Sequence, residues 1–350
     1  MSPNTPSADE SELDARKAAI LRTVVTGYVE TAQPVGSSQV ARESAVDVSP
    51  ATIRADMAVL EREGYLTHPH TSAGRIPTDK GYRFFVDHLE PLIPLGLAKQ
   101  EQVRDFFSRA HGELERMLQD TSRLLSELTD SAAVVVGPAV ECLFVRTALL
   151  TRLSGHTALL VAVMSNGSVE KRAVPLGDDV TDDVVEATSN HLHQHFPEHT
   201  LAQLATGTIL PESGRREVDL LVAACRQALT SAASSEAGPD QVFVGGAARM
   251  AERFEALDQV RAVLGLLENS FVVVSLLRDV IDHGQSVSIG SEHAALAPLA
   301  ECSLVVAPFE GEGDSRGTIG VLGPTRMDYP QALAAVAVVS QRLSRELQHG

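Results

Sequence analysis

Ser49-Pro50-Ala51-Thr52-Ile53-Arg54-Ala55-Asp56-Met57-Ala58-Val59-Leu60-Glu61-Arg62-Glu63-Gly64 is the stretch on which the reading of the N-terminal quarter turns. Ser49 is a good helix N-cap, and Pro50 suits the first helical position, where its missing N–H costs nothing. Gly64 stops the helix. Ile53, Met57 and Leu60 fall on one face, which leaves Ala51, Thr52, Arg54 and Ala55 mostly on the other. Small or polar side chains around one arginine suit close entry into a DNA major groove. There Arg pairs with guanine, and Thr meets a phosphate or a thymine methyl. An ordinary three-helix bundle with a solvated face has the same pattern, so the flanking sequence has to discriminate.

Upstream, Ile20, Leu21, Val24, Val25 and Tyr28 give Leu13 to Val29 an amphipathic helical rhythm. Pro34-Val35-Gly36 makes a turn, and Ser37 or Ser38 is expected to cap a short second helix. Downstream, Tyr65-Leu66-Thr67 and Arg75-Ile76-Pro77 read as short paired strands around the polar tip His68 to Gly74. No carboxylate occurs between Gly64 and Thr78, while Arg75, His68, His70, Thr71 and Ser72 supply phosphate donors. A further helix, capped by Thr78 or Asp79, presents Tyr82, Phe85, Val86 and Leu89 inward, with Lys80 and Arg83 pointing elsewhere. A helix-turn-helix followed by a hairpin is the winged-helix arrangement.

Pro34-Val35-Gly36-Ser37-Ser38, SPATIRADMAVLEREGYL (Ser49–Leu66) and PHTSAGRIPTDKGYR (Pro69–Arg83), in that order, resemble the DNA-binding domain of the HrcA heat-inducible transcription repressors. Pro50 and Ala55 depart from the family pattern, which has Ser and Asn there; Pro50 is harmless at a helix start, and Ala55 is given no direct role. The residues expected at the DNA are Ser37, Ser38, Ser49, Ala51, Thr52, Arg54, His70, Thr71, Ser72, Arg75, Lys80 and Arg83.

Beyond residue 90, Val103 to Leu128 reads as one long helix or a helix pair leading to an apolar strand, Ala132 to Val136. Strands follow at Phe144–Leu150, Ala158–Met164 and Val169–Val174, with a Ser165-Asn166-Gly167 turn. Asp182 to Leu229 is helical with breaks near Pro197 and Pro211, and Ser231 to Pro239 is a small-residue connector. Then come a strand (Gln241–Val244), helical stretches (Ala247–Leu267 and Phe271–Asp282) and strands at Ser286–Ile289, Ser303–Pro308 and Thr318–Leu322. A last helix, Gln331 to Leu347, packs through Leu333, Val336, Val339 and Leu343.

This is an α+β, multidomain order, compatible with a GAF-like α/β domain. Ile289-Gly290-Ser291-Glu292, Cys302 to Val306 and Gly317 to Pro330 match C-terminal motifs of the same family. The Ser/Pro/Asn/acid-rich start reads as a disordered tail (1–12), and the resemblance implies an N-terminal winged helix-turn-helix domain (13–90), a GAF-like domain (91–140 and 239–350) and an inserted dimerisation domain (141–238).

Composition sets the outer bounds. The formal net charge is −17, yet Leu13 to Leu89 holds nine Lys/Arg and nine Asp/Glu, so the head is neutral and the rest carries the excess. That asymmetry is a weak sign of one segment facing a polyanion. No run approaches the ~18 apolar residues of a membrane span, and the Ser/Pro/acid-rich start lacks the pattern of a signal peptide. Three widely spaced cysteines (Cys142, Cys225 and Cys302) suggest reduced thiols and a cytoplasmic location.

His191, His193, His195 and His199 suggest a metal, but His193 points away from the face shared by His191 and His195, and no further ligands complete a site. A solvated helix face accounts for them. Gly317-x-x-Gly320-x-x-Gly323 is not a dinucleotide fingerprint and reads as turn glycines at a strand end. Neither a cofactor nor an enzyme activity is expected. The resemblance implies a sequence-specific repressor of chaperone operons, binding an inverted-repeat operator on double-stranded DNA as a homodimer. Its activity would be modulated by the GroE chaperonin. The alternative is a small-molecule-responsive winged-helix regulator with the GAF-like domain as sensor.

Overall fold

The first helix, α1 (Ala15–Thr31), starts where the Asp14 side chain accepts the Lys17 N–H at 2.9 Å, and it buries Ile20, Leu21, Val24 and Val25. The computed structural model describes residues 13–44, 46, 48–69, 74–89, 94–109, 114–138, 143–165, 167–206, 210–235, 241–251, 257–292, 299–311 and 315–349. The chain divides into two compact units. One joins residues 1–94 with 287–304 and 323–332; the other comprises 95–286, 305–322 and 333–350.

In the first unit α1 is followed by α2 (Ser37–Glu43), α3 (Pro50–Arg62), the strands β1 (Leu66–Thr67) and β2 (Ile76–Pro77), and α4 (Asp79–Asp87). The α2 cap differs from expectation: extended Gly36 is the N-cap without a side-chain bond, and Ser37 is a buried residue inside the helix. β1 and β2 pair antiparallel, Leu66 opposite Pro77 and Thr67 opposite Ile76. Val35 and Arg75 exchange both backbone hydrogen bonds at 2.9 Å, which adds the α1–α2 connection to this small sheet. Thr78 caps α4 by accepting the Gly81 N–H at 3.2 Å.

Ile53, Met57 and Leu60 of α3 and Tyr82 and Phe85 of α4 are buried with the α1 side chains, each burial worth roughly 1.5–3 kcal/mol. Buried Asp56 is held by Arg16 of α1 through Nε at 2.8 Å and Nη2 at 3.2 Å. This pairing, which periodicity does not reveal, ties α1 to α3 and raises the Arg16 pKa above the ordinary arginine value.

The second unit begins with α5 (Leu97–Arg109) and α6 (Leu114–Thr129), followed by β3 (Ala132–Val136). β3 is buried along its whole length, as a strand covered on both faces should be. It pairs antiparallel with β7 (Val242–Gly245) on one side and β10 (Arg316–Pro324) on the other. With β9 (Cys302–Glu310) and β8 (Val287–Ile289) they form a five-stranded sheet ordered β7-β3-β10-β9-β8. Gly317, Gly320 and Gly323 lie inside β10, not in a turn at its end.

Between the neighbouring strands β3 and β7, the chain builds a separate antiparallel sheet of β4 (Val145–Ser154), β5 (Thr157–Met164) and β6 (Val169–Pro175). One face packs under α7 (Asp182–His195), α8 (Leu201–Thr206) and α9 (Arg216–Ser235) around Leu150, Leu160, Met164, Leu192, Phe196 and Leu229. β4 runs four residues past the expected Leu150. α9 continues through Ser231–Ser235, expected as connector, because an Ala/Ser run imposes no break on a helix. The remaining helices are α10 (Ala247–Ala251), α11 (Leu257–Leu267), α12 (Ser270–Asp282) and α13 (Tyr329–His349). No single helix among the described residues is long and apolar enough to cross a membrane.

Candidate nucleic-acid interface

The start of α3 is built as its sequence dictates. Ser49 is extended, its Oγ accepts the Thr52 N–H at 3.2 Å, and it lies 3.0 Å from the Thr52 hydroxyl. Ser49 and Thr52 therefore satisfy the helix end, while the side chains beyond them divide cleanly. Ile53, Asp56, Met57 and Leu60 are buried; Ala51, Arg54, Ala55, Ala58 and Arg62 are exposed. Arg54 has no ion-pair or hydrogen-bond partner among the described residues and is flanked on its face by alanines. Arg62, eight residues along the same face, was missed as a candidate, although its i, i+8 spacing from Arg54 is visible in the sequence. Ser38 is exposed at the start of α2, whereas Ser37 is buried.

The hairpin that follows α3 is tied to it by one carboxylate. Glu61 pairs with Arg75 (Oε2 to Nε, 2.8 Å) and, through its other oxygen, with Nδ1 of His68. Arg75, expected as a phosphate donor, is thus already neutralised. Gly74 has to be glycine here, because a Cβ would sit 2.5 Å from the Val35 carbonyl where the two segments pair. His70, Thr71 and Ser72, expected at the hairpin tip, lie outside the described residues.

Lys80 is exposed on α4. Its ammonium donates to the Glu63 carbonyl at 3.0 Å and lies 4.3 Å from the Tyr65 ring centre, so it stands beside the C-terminal end of α3. Arg83 departs most from expectation. Its Nε donates to Glu292 at 2.8 Å, Nη2 to the same carboxylate and to the Val287 carbonyl at 2.9 Å, and Nη1 to Asp87 at 3.3 Å. A guanidinium so occupied is not available to a phosphate.

The histidine-rich α7 brings the His191 and His195 rings to 4.5 Å, and His193 hydrogen-bonds Thr147 at 3.0 Å. No three His, Cys, Asp or Glu side chains converge on a metal-sized site among the described residues.

A helix-turn-helix whose second helix offers an unpaired arginine among alanines, followed by a hairpin braced on that helix, defines the class: helix-turn-helix proteins that read DNA. Residues 115–333 match the family described as HrcA protein C terminal domain. The heat-inducible transcription repressor HrcA of Symbiobacterium thermophilum is 36% identical over 341 residues, covering 95% of this chain and 98% of the relative. That of Pseudarthrobacter chlorophenolicus is 37% identical over 343 residues, covering 95% and 99%. A crystal structure of a hypothetical protein at 2.2 Å resolution shares the fold, with TM-score 0.65 and 22% identity over 96% of this chain and 99% of that one. The chain belongs to the HrcA family of heat-inducible transcription repressors.

Proposed function

We propose that this chain, a transcriptional repressor of the heat-shock response by family, binds an inverted-repeat operator upstream of chaperone operons as a homodimer, and that the GroE chaperonin modulates its activity. The observation that carries the reading is the exposed face of α3, where Arg54 stands unpaired among Ala51, Ala55 and Ala58. Side chains this small let a helix backbone approach base edges, and the one long cation can then make a bidentate contact to guanine. Arg62 and Lys80 supply phosphate contacts near the other end of the helix, with His70, Thr71, Ser72 and Ser38 completing the interface. Arg75 contributes only when it exchanges Glu61 for phosphate.

Homodimerisation through the segment inserted between β3 and β7 is supported by the outward face of its sheet. Leu149 and Val169 are each 50% exposed, and with half-buried Leu159, Val161 and Val163 they form an apolar surface interrupted by Lys171. The five-stranded sheet with its helices is the GAF-like domain of this reading. A chain whose neighbouring strands β3 and β7 are separated by a whole inserted domain folds slowly and exposes apolar surface on the way, the behaviour of a chaperonin client.

The test is titration of a palindromic chaperone-promoter fragment and a scrambled control with full-length protein, with and without chaperonin. The expected result is selective binding, with chaperonin raising the active fraction and leaving the dissociation constant of that fraction unchanged. Equal affinity for both fragments removes the operator; an unchanged active fraction removes the chaperonin.

A further inference from the structure

Two motifs far apart in the sequence meet in the first unit, and DNA contact explains neither. Asp79-Lys80-Gly81-Tyr82-Arg83 forms the first turns of α4; Ile289-Gly290-Ser291-Glu292 ends β8 and makes a 3-10 turn. Arg83 grips the Glu292 carboxylate with two nitrogens while donating to the Val287 carbonyl. Glu292 is held in place by the Ile289 N–H at 2.9 Å. One turn earlier, the Asp79 carboxylate accepts the Ser291 N–H at 2.9 Å and the Ser291 hydroxyl at 2.7 Å. Gly290 has φ +51°, and a Cβ there would lie 2.5 Å from the Asp79 oxygens, so only glycine lets the turn come this close. Beside these polar contacts the buried Tyr82 ring packs 5.7 Å from Tyr329, whose hydroxyl is fixed by Ser303 and the Thr325 carbonyl, each at 2.7 Å.

We propose that Asp79 and Arg83 are positioning residues for operator recognition: they clamp α4, and with it α3 and the hairpin, onto the 287–292 turn, so that the reading face is presented in one fixed pose. The inference rests on the operator-binding reading given above. Two charge-assisted contacts one turn apart, both to a turn that is itself internally bonded, resist rotation of α4 as well as its separation. A tether would need neither. A fixed pose matters for a twofold dimer, because both heads must meet half-sites at one separation, and misorientation is lost affinity on the repeat without any loss on a half-site.

The experiment compares full-length wild type with Arg83→Glu, Glu292→Arg and the double exchange, using charge reversal rather than truncation so that rescue is possible. Three quantities are measured: affinity for a single half-site, affinity for the inverted repeat with its spacer lengthened by one or two base pairs, and hydrogen exchange of α4 and 287–292 without DNA. The single reversals are expected to keep half-site affinity within about twofold and to weaken binding to the natural repeat about tenfold or more. They should also flatten the spacing preference and raise exchange in both segments, and the double exchange should restore all three. If half-site affinity falls with repeat affinity and the double exchange restores neither, the contact merely maintains the fold of the head and the proposal is overturned. It is equally overturned if every variant keeps the wild-type spacing preference. Should the wild type bind no DNA, the operator reading itself fails and the positioning role falls with it. The exchange data then report whether the clamp exists independently of that failure.

Discussion

Replacing Arg54 by Ala tests the recognition face at its only long, unpaired side chain between Ala51 and Ala58. Arg54 is exposed and makes no ion pair or hydrogen bond among the described residues, so the fold should lose no more than about 0.5 kcal/mol. The effect on DNA is of another size. A bidentate arginine–guanine contact discriminates by about 1–3 kcal/mol, and on the operator-binding reading a dimer on an inverted repeat loses it twice, about 2–6 kcal/mol, or roughly 30-fold or more in affinity. None of the neighbouring alanines can take over the contact. Fluorescence anisotropy at fixed salt, on the operator and on single-base variants of each half-site, reads both numbers. The variant should lose affinity and also lose its preference at one symmetric pair of positions. Affinity within twofold of wild type and an unchanged base preference would refute the placement of α3 as the reading helix. An equal loss on every sequence, with the salt slope reduced by about 0.9 per head, would make Arg54 a phosphate contact instead.

Glu61 holds Arg75 and His68, so Glu61→Gln should free a cation and steepen the salt dependence of DNA binding by about one unit per head, whereas Arg75→Ala should leave that slope near its wild-type value. The check is the slope of log affinity against log salt, and identical slopes in all three proteins would contradict it. If the chain dimerises through this sheet face as proposed, Leu149→Asp should leave the monomer folded, since the side chain is 50% exposed, and weaken dimerisation by about 3 kcal/mol (roughly 150-fold) because a twofold interface loses the residue twice. Sedimentation equilibrium reads this directly, and an unchanged dimer would move the interface off that sheet face. Burial pushes the Cys225 and Cys302 thiols up to about 12. Both should resist a thiol reagent at pH 8 in the native protein and react once it is unfolded. With folded values above the ordinary thiol value, their contribution to stability is complete below about pH 9 and is lost as pH rises towards 12. Denaturant midpoints across that range, for wild type and Cys225→Ala, should converge.

How much of the molecule was legible depends on how far each residue's partner lies along the chain. The Ser49-Pro50 start of α3 and the β5–β6 hairpin are set by neighbours a few residues away and were readable, and the α4 cap was readable to within Thr78 or Asp79, of which Thr78 is the cap. So was the buried face of α3, since Ile53, Met57 and Leu60 share a helical period. Arg83 misled because its own helix offers only the i, i+4 partner Asp87, whereas the carboxylate that takes two of its nitrogens, Glu292, is 209 residues away. Arg75 and Lys80 misled in part for the same reason, each being occupied by an atom of α3 or the residue after it. Gly36 rather than a serine caps α2 because extended backbone into the helix needs no side chain there, a choice that composition leaves open.

The charge balance of the head then bears on how repression works. Nine basic and nine acidic residues over 13–89 leave no surplus, and Glu61 and Glu292 each take up an arginine that a sequence count would assign to phosphate. On the operator-binding reading, a head of this kind gains little from counterion release, so alone it binds at the weak end, with a dissociation constant on the order of 10⁻⁵ M. Linking two such heads makes the second contact intramolecular at an effective concentration on the order of 10⁻³ M, which tightens binding about 100-fold provided both heads are correctly posed. On these numbers linkage supplies about 2.7 kcal/mol, as much as a single arginine–guanine contact, so assembly and orientation matter as much as the contacts themselves. A repressor built in this way needs no ligand to be switched off. Loss of the folded dimer, or release of α4 from the 287–292 turn, returns each head to an affinity too weak to hold an operator. A strongly basic head would keep more of its grip on DNA through such a loss, and the change in occupancy would be smaller.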